Sequence, residues 1–223
     1  MADFRTHLGV AAAGGAVLAH GGWQAGLWDL WQGAVVLGLV TFGGILPDID
    51  ADRSRAIRLI FNLLAIPAVV VAALLLQARL APGHLLLVCG ALYLVVRHVA
   101  GGVFSRFTVH RGIWHSLLAA GLCGLAAATL SYRFFAQSAW LAWAHGLAIC
   151  LGFVIHLLLD ELYSVDLTGA RIKRSFGTAI KPFDLRSPGN SVAMLMTGVA
   201  LLPWLPPWPL LLGLLSQGAT LWR

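Results

Sequence analysis

In "GFVIHLLLDEL", residues 152–162, His156 and Asp160 are the residues best spaced for chemistry. On a helix they stand i,i+4 and project from one side with Cβ atoms roughly 6 Å apart, so one cation can take an imidazole nitrogen and a carboxylate oxygen together. Ionisable groups inside an apolar run are costly and are commonly functional. The same spacing also fits a polar stripe in which His and Asp bond only each other.

Three further groups invite the same question. "HRGIWHS" carries His110 and His115, five residues apart. On a continuous helix that is ~140° of rotation, so they converge only if His110 sits on a loop and His115 in the first helical turn, which Gly112 permits. An Arg/His stretch touching lipid phosphates is the alternative. In "GGILPDID", Pro47 biases the residue before it away from the helical region, which places Asp48 and Asp50 on a turn. Alternate residues on an extended turn point opposite ways, so one carboxylate can meet a metal while the other positions water or a ligand. A D-x-D is also a common solvated turn. His7 opens the first apolar run.

The elements that must position these groups are set by composition. The chain has 223 residues, 59% hydrophobic and 11% charged, with a mean hydropathy of +0.84. Those fractions lie outside the range of ordinary soluble domains and indicate a single integral membrane domain over 1–223. Trp23, Trp28, Trp31, Trp140 and Trp143 lie near segment ends, where amphipathic rings favour the headgroup layer. Cys89, Cys123 and Cys150 stand singly in apolar runs, without ligand spacing. The opening "MADFRTHLGVAAAGGAVLA" has the outline of a secretory signal, but more apolar segments follow it, so it reads as a first span. The net charge of +6 has no soluble basic module to hold it, and direct nucleic-acid binding is not expected.

A membrane crossing needs ~20 apolar residues. That length predicts an all-α, polytopic bundle of about seven spans, near 8–22, 30–46, 57–77, 84–104, 113–132, 140–163 and 191–202, the last continued at 208–222. The Pro-rich "PWLPPWP" breaks that region into a kinked helix or a hairpin. With the N-terminus in the cytoplasm, Arg5, Arg53, Arg55, Arg58, Arg106, Arg111, Arg171, Lys173, Arg174, Lys181 and Arg186 share that side. Only Arg79 and Arg133 lie opposite, a strong positive-inside bias that leaves a basic cytoplasmic loop at about 164–190. This topology brings His7, Asp48, Asp50, His110, His115, His156 and Asp160 to one depth at the cytoplasmic face. His20, His84 and His145 fall elsewhere. Neutral His and ionised Asp without thiolates suit one or two divalent ions, Zn²⁺ first and Mn²⁺ or Fe²⁺ next.

The order "TH", "GGILPDID" followed by Arg, "HRGIWHSLL" and "GFVIHLLLDELYSVDLTG...KPF" resembles the YdjM-like family of predicted inner-membrane metal-dependent hydrolases, also labelled LexA-binding and membrane-associated. The resemblance covers about residues 6–183 and implies a bacterial inner-membrane location and a metal site built from those His and Asp residues. The longer, basic stretch after Asp160 departs from the family pattern. At the level of ligand types alone, the zinc-dependent phospholipase C and single-strand nuclease group offers a second analogy.

The expected function is a membrane-embedded metal-dependent hydrolase acting on an ester or phosphoester, with a lipid favoured by the depth of the site. His7, His110, His156 and Asp160 are the preferred ligands. Asp48 or Asp50 acts as ligand or general base, and His115 as ligand or proton donor. Arg53, Arg111 and Lys181 are placed to hold an anionic headgroup. Two other classes stay open: an ion or metal transporter, since intramembrane His and Asp also mark ion paths, and a scaffold that binds a cytoplasmic protein through its basic face.

Overall fold

The computed structural model describes residues 3–50, 55–103, 112–166, 171–172, 177 and 180–220. Among them the chain forms α1 (Phe4–Gln24), α2 (Leu30–Gly43), α3 (Arg55–Leu76), α4 (Pro82–Leu94), α5 (Leu117–Arg133), α6 (Ala139–Leu162), α7 (Pro188–Leu201) and α8 (Trp208–Thr220). Leu46–Asp50 and Leu202–Trp204 are short 3-10 turns, and Val95–Ala100 continues α4 as a π-helix. A small antiparallel ladder pairs Val165 with Ile172 and Asp166 with Arg171.

The all-helical expectation therefore holds, while the span count is met only in part. Ala56–Leu76, Pro82–Val103 and Ala139–Leu162 are long and apolar enough to cross a membrane. The pair formed by α7 and α8, bent by 99° at its break, adds a fourth if counted as one span. α2 and α5 are apolar but shorter, and the Ala/Gly-rich sequence of α1 dilutes its hydropathy.

The chain packs as two compact units, Met1–Pro47 with Arg111–Arg223, and Asp48–His110. In the second unit α3 packs against α4. Pro67 lies inside α3, a position that apolar helices tolerate when neighbouring groups take up the freed carbonyl. A polar chain links the two helices: Tyr93 donates to Asn62 Oδ1 at 3.3 Å and accepts from Arg97 Nη1 at 2.9 Å. Ile66, Val70, Leu74, Leu86 and Leu87 point outward, an apolar surface of the kind lipid requires.

In the first unit α6 is the central helix, touching α1, α2, α5 and α8. Glycines allow the close approach. A Cβ on Gly146 would lie 2.7 Å from Gly124 O on α5, and one on Gly15 would lie 2.9 Å from Leu37 O on α2. Cβ atoms on Gly43 and Gly152 would collide with backbone of α6 and α2 respectively. Small residues at such contacts are how apolar helices gain packing without a hydrophobic driving force between them.

Capping fixes where these helices begin. Asp3 caps α1 by accepting from Thr6 N at 2.7 Å, and hydrogen bonding from Thr6, by its side chain first and then its amide, holds the exposed Asp3 carboxyl below its ordinary pKa. Asp29 and Gln32 form a reciprocal capping box on α2. The indole of Trp28 folds back to donate to Ala19 O at 2.9 Å, over Gly22, where any Cβ would strike the ring. Ser116 caps α5, and the next two amides, Leu117 N and Leu118 N, donate to Lys181 O and Pro182 O. At the other end, Arg133 donates to Trp204 O and Pro203 O. Trp143 donates to Pro207 O at 3.1 Å. These bonds tie the Pro-rich break to the bundle.

Candidate metal centre

α1, the turn before α5, and the last turns of α6 deliver His7, His115, His156 and Asp160 to one place. Each side chain is at most 1% exposed. Asp160 is the hub. Its Oδ1 lies 3.2 Å from His7 Nε2, and its Oδ2 lies 3.7 Å from His115 Nε2 and 3.9 Å from His156 Nε2. His7 stacks on His156 with centroids 3.6 Å apart and planes 11° from parallel. His115 meets His156 edge-on at 5.7 Å.

Local sequence explains each placement. His7 lies in the first turn of α1, its amide bonded to Asp3 O at 3.1 Å. His156 and Asp160 lie one turn apart on α6, as their spacing requires. Ser164 Oγ donates to Asp160 O at 2.7 Å and secures the end of that helix. His115 does not sit in a helical turn as expected. Ser116 takes the cap position, so the helix begins at Leu117 and His115 stays on the preceding turn, with its amide on Gly112 O at 3.2 Å.

The tautomer of His156 follows from its partner. Its Nδ1 lies 2.7 Å from Gly44 O, and a carbonyl only accepts, so Nδ1 carries the proton. In the neutral ring Nε2 is then the lone-pair atom, and it is the atom turned toward Asp160. A ring nitrogen fixed in this way by a carbonyl is the usual support of a metal-binding histidine. Gly44 serves this role because it has no side chain: a Cβ there would collide with the Cβ of Ala11 on α1.

The donor set fits a divalent ion. His7, His156 and Asp160 each offer one ligand atom within 4.8 Å of the others. Ligands 2.0–2.2 Å from a tetrahedral Zn²⁺ stand about 3.4 Å apart, close to the separations seen here. Charge points the same way. Stacked imidazoles repel if both are protonated, and a cation set between their lone pairs and the Asp160 carboxylate is attracted to all of them.

The other predicted residues fall as follows. Asp48 lies in the 3-10 turn Leu46–Asp50, at the first residue of the second unit, and Asp50 closes the same turn. His110, Arg53 and Arg111 lie outside the described residues. Lys181, expected at an anionic substrate, has its Nζ 3.3 Å from Asp184 Oδ1, and its carbonyl caps α5. Sequence reasoning missed Gly44 as an acceptor and Ser164 as a brace. Serine four residues after an acidic helix residue is a weak signal, and a backbone carbonyl gives none.

A family model described as YdjM inner membrane protein matches residues 1–203. Neither the curated proteins nor the solved structures contain a match to this chain. The match spans all of the elements that carry the histidine cluster, and the chain belongs to the YdjM inner membrane protein family.

Proposed function

We propose that this protein is a membrane-embedded, metal-dependent hydrolase. The observation that carries this reading is the convergence of His7, His115 and His156 on a single buried carboxylate, Asp160. His7, His156 and Asp160 would hold one divalent ion, with Zn²⁺ preferred over Mn²⁺ or Fe²⁺ for a nitrogen-rich set without thiolates. Such an ion supplies Lewis-acid activation of water and of an ester or phosphoester oxygen. Gly44 holds the His156 ring in orientation. His115, the member of the cluster on a turn rather than in a helix, is the residue to carry a proton to or from the reacting groups. Burial of the site among apolar helices favours a lipid ester or phosphoester over a cytosolic metabolite. Asp48, Asp50, His110, Arg53 and Arg111 keep the roles the sequence suggests.

The same reading takes the chain as multi-pass, with about seven crossings, a cytoplasmic N-terminus and a cytoplasmic basic loop. α1, α2 and α5 cross as short or tilted helices, and α7 with α8 forms the broken last span.

Elemental analysis of detergent-purified protein tests the site directly. Wild type should carry roughly one or two divalent ions per chain, and His156→Ala and Asp160→Ala should each lose most of them. Metal-free wild type, purified at full yield without chelators, sinks the proposal.

A further inference from the structure

Some 16 Å along α6 from His156, a second polar group lies inside the first unit. His145 is 8% exposed, and its Nδ1 is 2.7 Å from Ser131 Oγ on α5. His145 Nε2 is fully buried and has no hydrogen-bond partner among the described residues. The Ser131 hydroxyl makes no other hydrogen bond among the described residues, so satisfying its proton requires it to donate to Nδ1. The neutral ring then carries its proton on Nε2, a buried donor that lacks an acceptor. Leaving such a donor unmet is costly in an apolar interior.

His145 lines a cavity of about 500 Å³ together with Asp29, Gln32, Ser131, Gln137 and Trp31. Trp31 is 79% exposed, an aromatic ring at the end of α2 where headgroups lie against a membrane helix. Asp29 caps α2 and forms no ion pair with a cation among the described residues. Arg133, at the same end of the bundle, is turned away onto Trp204 O and Pro203 O. The cavity thus offers a carboxylate and two amides on an otherwise apolar lining, with the His145 ring in its wall and no positive side chain.

We propose that this cavity binds a membrane lipid with a zwitterionic, ammonium-bearing headgroup. The ammonium sits toward Asp29, an ester carbonyl of the glycerol accepts from His145 Nε2, and the acyl chains lie along the apolar lining. An anionic lipid is disfavoured because its phosphate would face the Asp29 carboxylate with no compensating cation. The site is separate from the histidine centre and does not depend on hydrolase activity.

Native mass spectrometry of the full-length protein in detergent tests this, with phosphatidylethanolamine and phosphatidylglycerol of matched acyl chains as probes. Phosphatidylethanolamine should bind about tenfold tighter, and His145→Phe should lower its binding by about tenfold, the size of one well-made neutral hydrogen bond. Asp29→Asn keeps a good helix cap and so preserves the fold. It should bring the two lipids to near-equal binding. Equal binding of both lipids by the wild type, or an unchanged preference in Asp29→Asn, overturns the proposal. If Ser131 and His145 serve only as an interhelical tie, their substitution lowers thermal stability without weakening the binding of either lipid, and the proposal fails on that result too.

Discussion

Gly44 meets two demands with one backbone position. Its carbonyl fixes the proton of His156 on Nδ1, and its missing side chain lets α1 come close enough for His7 to reach Asp160. Gly44→Ala should therefore separate α1 from the rest of the centre. The overpacking is expected to cost about 1–3 kcal/mol, seen as a lowered midpoint of thermal unfolding in detergent, with loss of bound metal by elemental analysis. Adding Ala11→Gly removes the colliding methyl and should restore both. If the double variant stays metal-free while its stability recovers, close approach of α1 is not what Gly44 provides. At this scale the sequence was readable where residue type carries the signal. His156 and Asp160 are recognisable from their i,i+4 spacing and the cost of charge in an apolar run, and His7, His115 and the D-x-D from their positions at helix ends. The Gly44 carbonyl was not readable, because every residue has one. Neither was the Ser131–His145 pair, because a bond between two helices depends on their rotation, which spacing within each helix leaves undetermined.

The starts of α1, α2, α5 and α6 are set by side-chain caps from Asp3, Asp29, Ser116 and Ser138. The proline break before Asp48 was visible in the sequence, whereas the capping box at Asp29 and Gln32 was not anticipated from it; the predicted segments agree with the helices to within a few residues. At α5 the apolar run begins four residues before the helix does, since Ser116 supplies the cap and His115 is left outside. Lys181 shows the opposite limit. Its charge suggested an anionic substrate, but its backbone carbonyl completes the amino end of α5 and its ammonium lies by Asp184, a pairing set by the path of the loop. Between α5 and α6 the chain turns through Ala136 at φ 49°, a left-handed conformation that costs a residue with a Cβ about 1 kcal/mol. Ala136→Gly should relieve that strain and raise the unfolding midpoint slightly, by less than the full amount because glycine also loosens the unfolded chain. A lowered midpoint would mean the turn is held by something other than backbone preference.

For the molecule as a whole, the basic residues predict which side each end of the bundle faces, while helix length alone supports fewer crossings than seven. If α1 crosses as proposed, Gly-mediated packing accounts for its low hydropathy: a helix pressed against its neighbours through small residues needs less apolar side chain than one facing lipid. Orientation is checked with single cysteines introduced after replacing Cys89, Cys123 and Cys150. Cysteine at Gln77 or Phe134 should react with a membrane-impermeant maleimide in intact cells, and cysteine at Leu185 only after permeabilisation. The reverse pattern would invert the topology and put the histidine centre on the outer side. The placement of His7 in the first turn of α1 and of Asp160 near the end of α6 has a consequence for assembly. Ribosomes deliver the first of these groups long before the last, so throughout synthesis and insertion the nascent chain holds histidines with no carboxylate to gather them. The centre closes only when α6 has docked against both α1 and α2, so a bound ion would serve as a record that membrane folding is complete.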